Sequence, residues 1–534
     1  MPLGNKNLFL LDTKERSYRI PALRPFTWSV IFSWNQLLRS MRKLLLRILA
    51  ATSGLILGLV IVLLVRAWQV GQQAERPVQL KPLTITLEVE ALTQRLAGAL
   101  RLPTISYQDP TRIDSSAFRA LHAYLAANFP RVHARLRREV VGGLSLLYTW
   151  VGQDTTLPAV LFMGHQDVVP VATPEAWTHP PFGGIVADGY VWGRGALDDK
   201  VSVLGVLEAV EQLLADGFRP VRTIYLAFGH DEEVGGRHGA RQIAELLAAR
   251  GVRLITVVDE GGFVVDGIIP GVTQPVALIG VAEKGYLSLE LIATAPGGHS
   301  STPPHQTAIG TLSQAIVTLE AHPFPARLDG PTRGLLERLA PYAPIGSRVV
   351  LANLWLFGPL MKYLLAQSPA GNASLRTTTA PTIFEAGVKE NVLPTRARAV
   401  VNFRIYPGET VASVEQRVRL LLQDLPVQVR RLEGTSTNPS PISDFEGEAF
   451  RRMVAAIQQA WAEDPPIVAP YLVPGATDAR YFTGLSSNVY RFIGARITSD
   501  LLATLHGVDE RIPVEEYVKA VRTYYALLRT LSGP

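Results

Sequence analysis

No cysteine occurs among the 534 residues. A disulfide framework, a thiolate-bound zinc and a thiol nucleophile are therefore excluded, and any metal must sit on His, Asp and Glu. Charge is also scarce. Asp, Glu, Lys and Arg make up 18% of the chain against 47% hydrophobic residues, a balance that excludes a disordered or fibrous protein. The net charge of +6 is concentrated at one end. Residues 1–47 hold nine basic side chains against Asp12 and Glu15, so the remainder is close to neutral. A broad phosphate-binding surface and a nucleic-acid partner are not expected. The third glycine of a phosphate cradle is missing too, because the spacing after Gly193 and Gly195 lands on Asp198. Internal repeats and low-complexity tracts are absent. The length exceeds one ordinary core and implies two or three domains, or one domain with a large insertion.

Residues 48–65, ILAATSGLILGLVIVLLV, carry no charge. At about 1.5 Å per residue this run spans about 27 Å, enough for a slightly thin hydrocarbon layer. Arg42, Lys43 and Arg47 precede it, and Arg66 and Trp68 follow. The basic flank predicts a cytoplasmic tail (1–47), a transmembrane anchor (48–65) and a body outside the cytoplasm. Cleavage as a signal peptide, giving a secreted body, is the alternative, but no A-x-A site follows Val65. Met41 opens a more ordinary signal-anchor order than Met1 does.

Residues 66–85 read as a polar linker containing Pro77 and Pro82. Beyond it, helical patterns at 89–102 and 115–128 precede an alternation of short apolar runs with helices. Strands are expected at 158–163, 223–228 and 254–258, and helices at 199–216 and 239–250. This predicts an α/β catalytic domain on a doubly wound, mostly parallel sheet. Its two parts are 86–284 and 435–534, the second ending on a helix at 514–531. Between them, 285–434 reads as βαββαβ, an inserted α+β lid or dimerisation domain, with strands at 286–294, 396–405 and 427–432 and helices at 306–320 and 411–424. Within it, about 323–380, lies VVLANLWLFGPLMKYLL. That run is too short, and too interrupted by Asn353, Gly358 and Pro359, to span a bilayer. It is either core of the inserted domain, the lining of an acyl-chain channel, or a surface lying against the bilayer.

Acidic and His clusters fall just past the expected strands. They are His165 and Asp167 after the first, Glu232 and Glu233 after the second, and Asp259 and Glu260 after the third. Asp198 and Asp199 precede a helix, and His506 lies in a loop before the last one. Each cluster alone is an ordinary turn, solvated pair or helix cap. Four at one end of one sheet are different, because crowded carboxylates repel and require a cation. Without cysteine the donor set suits paired Zn²⁺, with Mn²⁺ or Co²⁺ as alternatives.

The strings GHQDVVPV, GRGALDDK, DEEVGG, VDEGG, GGHSSTPP, GATDARYF and LHGVDERI, with RTTTAPTIFEAGVKENVLPTRARAVVNFRIYPGET, occur in an order that resembles the co-catalytic dinuclear zinc aminoacylase/carboxypeptidase family. The likeness covers roughly 90–534 and is greatest to the carboxypeptidase S branch and the N-fatty-acyl-amino acid synthases/hydrolases. It implies two zinc ions, with His165 and Asp259 on the first, Glu233 and His506 on the second, and Asp198 bridging both. Of the neighbours Asp259 and Glu260, the resemblance favours Asp259 as ligand. Glu232 matches the general base, Asp167 the acid that orients His165, and His299 a histidine that reaches into the partner subunit's site of a homodimer. Arg404 matches a clamp for the substrate carboxylate. Asn391, Gly475 and Thr477, with Asp478 and Arg480, match substrate-side positions.

The function implied is amide hydrolysis of an N-acyl, including fatty-acyl, amino acid or a short peptide with a free carboxylate. A hydroxide shared by the metals attacks, and Glu232 moves the proton. Peptide trimming without acyl preference is the alternative, and an inactive membrane-anchored binding module a more remote one.

Overall fold

The computed structural model describes residues 28–74, 82–269 and 271–533. Most of the expected cytoplasmic tail, 1–27, and the linker residues 75–81 lie outside these. The apolar run sits inside a single helix of 47 residues, Trp28–Ala74. Its stretch Gln36–Ala74 is long and apolar enough to cross a membrane. The helix carries exposed Leu55, Ile56 and Leu57. It does not stop where the linker was expected. Residues 66–74 continue it: no proline interrupts the backbone N–H series before Pro77, and most of these residues tolerate a helix, Gly71 being the exception.

The remaining chain is built around a mixed sheet whose centre is parallel. Ala159–His165 pairs parallel with Ile224–Gly229 on one side and with Leu254–Asp259 on the other. Val489–Arg491 adds to Leu254–Asp259 in parallel, and Ile467–Val473 pairs parallel with Val276–Glu283. Antiparallel strands Ser145–Trp150 and Arg137–Val141 finish one edge. All seven side-chain positions of Ala159–His165 are buried, which explains why its sequence is a continuous apolar run without alternation. Helices Lys200–Ala215, Glu448–Ala460 and Val514–Leu531 contribute to the core shared with this sheet.

Because the three central strands run parallel, their carboxyl ends lie on one edge. His165 and Asp259 are the last residues of their strands, and Glu232 opens the turn after Gly229. This is the edge at which open α/β sheets place ligands. A small three-stranded sheet brings the far end of the chain to it. Arg511–Pro513 pairs antiparallel with Tyr190–Trp192, so the loops 193–199 and 506–510 become neighbours.

The inserted βαββαβ unit forms as expected. Gly285–Thr294, Thr378–Ala386, Arg396–Ile405 and Val427–Thr437 make an antiparallel sheet in which the first strand lies between the third and the fourth. Helices Ala308–Ala321 and Val411–Leu421 cover one face with Leu312, Ala315, Val414 and Val418. The apolar segment is not core of this unit. From 323–380 only Phe324 joins the small core, and Leu339 joins the catalytic core. The segment folds into helices Gly330–Leu339, Ile345–Leu351, Leu354–Leu365 and Pro369–Ala373.

Candidate metal centre

Asp198 stands at the middle of the site. Its Oδ1 lies 2.8 Å from His165 Nε2 and its Oδ2 2.9 Å from His506 Nε2. His506 Nε2 is also 3.3 Å from Glu233 Oε2. Potential ligand atoms of His165, Asp198 and Glu233 lie within 4.8 Å of one another. The structure thus brings together four of the five expected ligands, drawn from two strand ends, the loop before Lys200–Ala215 and a loop more than 300 residues later. His506 adopts φ 57°, a left-handed conformation uncommon outside glycine.

Asp167 lies behind this group. It is fully buried and accepts hydrogen bonds from Ser106 Oγ at 2.7 Å, from Glu232 N at 3.2 Å and from Glu233 N at 3.1 Å. Its Oδ1 is 3.4 Å from His165 Nδ1. His165 Nδ1 is 2.9 Å from the backbone O of Asp167, so this one residue fixes the histidine ring through its carbonyl and the turn that carries both glutamates through its carboxylate.

Asp259, the fifth expected ligand, is buried beside the loop 477–479. Its Oδ2 accepts from Ala479 N at 2.8 Å, its carboxylate also accepts from the Glu260 amide and the Thr477 hydroxyl, and the charge of Arg491 acts on it. Its neighbour Glu260 is buried within the field of the Asp198, Asp199, Asp259 and Glu232 carboxylates.

The charges of the site call for cations. Burial alone would depress the His165 imidazole, but its hydrogen bonds to Asp167 and Asp198 outweigh that and hold its pKa well above the ordinary value. Hydrogen bonds to Asp198 and Glu233 raise His506 to about 10. Burial, then the charges of Asp478 and Glu233, push Glu232 well above the usual carboxylate range. Burial followed by four neighbouring carboxylates does the same to Glu260. Glu233 Oε1 and Asp199 Oδ1 are buried without a hydrogen-bond partner. Crowded carboxylates, histidines that favour added positive charge and unpartnered oxygens fit a His/carboxylate metal site.

The substrate-side expectations are scattered. Thr477 is buried and donates through both N and Oγ1 to Glu283, at 2.8 Å and 2.5 Å. Gly475, in the same loop, has open space where a side chain would stand. Arg404 lies opposite Tyr286 in the small sheet, its guanidinium 4.8 Å from that ring. His299 and Asn391 share a short ribbon in which Gly298–His299 pairs with Val392–Leu393. His299 is exposed, its Nδ1 2.8 Å from Ser301 Oγ.

Glu510 was not anticipated. It is fully buried and accepts from Arg194 Nη1 at 2.6 Å and from the amides of Gly195, Leu197 and Asp198. Arg194 also donates to Gly507 O at 2.8 Å. The pair thereby locks the Asp198 loop to the His506 loop. The only sequence sign was an acid inside LHGVDERI.

Comparison with known proteins accounts for this arrangement. Residues 161–530 match the sequence profile of peptidase family M20/M25/M40. The chain is 40% identical over 445 residues to the N-fatty-acyl-amino acid synthase/hydrolase of Xenopus tropicalis, covering 83% of this chain and 86% of that one. It is 34% identical over 485 residues to carboxypeptidase S of Saccharomyces cerevisiae, covering 81% and 82%. Among solved structures, an M20 family metallo-carboxypeptidase of Sulfolobus solfataricus superposes with a TM-score of 0.61 at 18% identity, over 84% of this chain and 100% of that one. Human carnosine dipeptidase 1 does so with a TM-score of 0.58 at 16% identity, over 87% and 98%. Family profile, relatives and fold agree with the His/Asp/Glu cluster, and the chain belongs to peptidase family M20/M25/M40, whose members are metal-dependent hydrolases.

Proposed function

We propose that the protein is a membrane-anchored dinuclear zinc amidohydrolase that cleaves N-acyl amino acids, with long acyl chains preferred over acetyl. The observation that carries this reading is the position of Asp198, whose two oxygens each face a different histidine. One carboxylate so placed can be shared by two cations. His165 and Glu260 would hold one ion, and Glu233 and His506 the other. Glu260 thus replaces Asp259 as the fifth ligand. Bound ions of this kind supply an acidified water and polarise an amide carbonyl.

The chain's own residues then divide the work. Glu232 takes the proton of the attacking water and returns it to the leaving amine. Its buried, carboxylate-rich surroundings raise its proton affinity toward that task. Asp167 holds the His165 ring and the Glu232 turn. Arg404 receives the substrate carboxylate, a role suited to a planar guanidinium, with Asn391, Gly475 and Thr477 on the substrate side. In a homodimer, His299 of one subunit would steady the oxyanion in the other.

Two measurements test this reading. Glu260→Ala should lower the metal content of the purified protein, whereas Asp259→Ala should lower it less; the reverse order would return Asp259 to the ligand set. A substrate panel should give N-oleoyl amino acids a kcat/KM at least about tenfold above N-acetyl ones, since each buried methylene contributes about 0.8 kcal/mol. Equal efficiencies, or a preference for dipeptides, would favour peptide trimming of the carboxypeptidase S kind.

A further inference from the structure

We propose that the bent helix pair Ile345–Leu351 and Leu354–Leu365 is a second membrane contact, which lies in the interface of the same bilayer that holds the N-terminal helix. The proposal rests on reading that helix as an anchor. The two helices meet at 106°. The longer has 12 residues and at about 1.5 Å per residue falls well short of a hydrocarbon layer of about 30 Å. Neither spans. Yet the pair exposes Ile345, Trp355, Leu356, Leu360, Tyr363 and Leu364, four of them by more than half of their surface. A contiguous patch of this kind on a water-soluble surface marks a docking site.

Three observations select a bilayer as the occupant. The first is composition. No acidic residue occurs between Glu337 and Glu385, while Arg338, Arg348, Lys362 and Arg376 do. Trp, Tyr and Lys beside exposed leucines are the residues that favour the headgroup level, and a cationic face complements anionic lipid. The second is position. Arg66, which directly follows the apolar run, donates from Nε to Ala352 O at 3.4 Å. Gly71, further along, lets the Arg348 guanidinium approach closely, since a Cβ there would fall 2.0 Å from its Nη1. The helical residues 66–71 that continue the apolar run therefore meet the pair. The third is attachment. Lys284 Nζ donates to Ala373 O at 3.0 Å and Arg376 O at 2.9 Å, which ties the end of the segment to the neighbour of Glu283, the acceptor for Thr477. The membrane face is thus fastened to the substrate-side loop. An enzyme held this way would take amphiphilic substrates from the lipid phase.

The absence of cysteine makes the test direct. Single-cysteine variants of the full chain, Leu360→Cys, Leu57→Cys and Val388→Cys, are nitroxide-labelled and reconstituted into vesicles of neutral and anionic phospholipid. Collision with oxygen and with a water-soluble nickel chelate is then measured. Hydrolysis of a soluble dipeptide by each labelled protein shows that it is folded. The oxygen-to-nickel ratio at 360 should exceed that at 388 several-fold and approach that at 57. A lipid-like ratio at 57 with a water-like ratio at 360 overturns the inference and leaves the anchor standing. Water-like ratios at both overturn both readings. A lipid-like ratio at 360 alone keeps the contact and removes the anchor. Dipolar broadening at 360 with low access to both quenchers would mean a second copy covers the patch, which also overturns the inference.

Discussion

Glu232→Gln should leave the metal content of the purified protein unchanged and lower kcat by about 10²–10⁴-fold, the usual contribution of a positioned general base. Glutamine keeps the size of the side chain and removes its ability to take a proton. Glu232 and Glu233 are adjacent, but they differ in surroundings. Glu233 Oε2 lies 3.3 Å from His506 Nε2, whereas Glu232 lies among the charges of His165, Asp478, Glu233 and Arg480. The companion variant Asp198→Ala should behave in the opposite way. It removes the one carboxylate within hydrogen-bond distance of both histidines, so metal and activity should be lost together. Elemental analysis beside steady-state kinetics separates the two outcomes. Metal loss in Glu232→Gln would mean that the adjacent glutamates exchange roles. Full metal content in Asp198→Ala would remove the bridging assignment.

What the sequence made legible follows from the range over which each cause acts. The strand Ala159–His165 was readable because burial on both faces leaves a continuous apolar run. The inserted unit was readable from the alternation in 286–294 and 396–405, where one face meets helices and the other does not. His506 beside Asp198 came only through resemblance, since no local pattern encodes a contact between residues so far apart. The choice between Asp259 and Glu260 depends on the phase of the chain where one strand ends. A shift of one residue exchanges the two faces, and composition does not fix that phase. The apolar segment 349–365 was read by hydropathy, which reports that a surface avoids water but not what covers it. Its helices turned out to stand apart from the small-domain core. Glu510 was hidden for a different reason. Its partner Arg194 is 316 residues away, and an acid in a loop resembles any solvated acid until the fold buries it.

That burial makes Glu510→Ala the substitution with the largest expected effect on stability. Arg194 is itself only 2% exposed. Removing its partner would leave a buried guanidinium without its counter-charge, and three amides without an acceptor. Breaking one side of such a pair costs about 3–5 kcal/mol. The midpoint of urea unfolding should therefore fall, and metal should exchange faster into a chelator, because Asp198 N is one of the three amides. Glu510→Gln keeps an acceptor but not the charge, and should fall between the variant and the parent. The double change Arg194→Met, Glu510→Ala separates two contributions. Replacing both members of a buried pair by apolar groups removes the uncompensated charge, so the unfolding midpoint should recover in part, short of the parent by the cost of the three unpaired amides. Metal retention should not, since the amides of Gly195, Leu197 and Asp198 still lack their acceptor and Gly507 O loses the Arg194 hydrogen bond that tethers the His506 loop. If retention recovered along with stability, the pair would serve the fold alone and the order of the Asp198 loop would come from elsewhere.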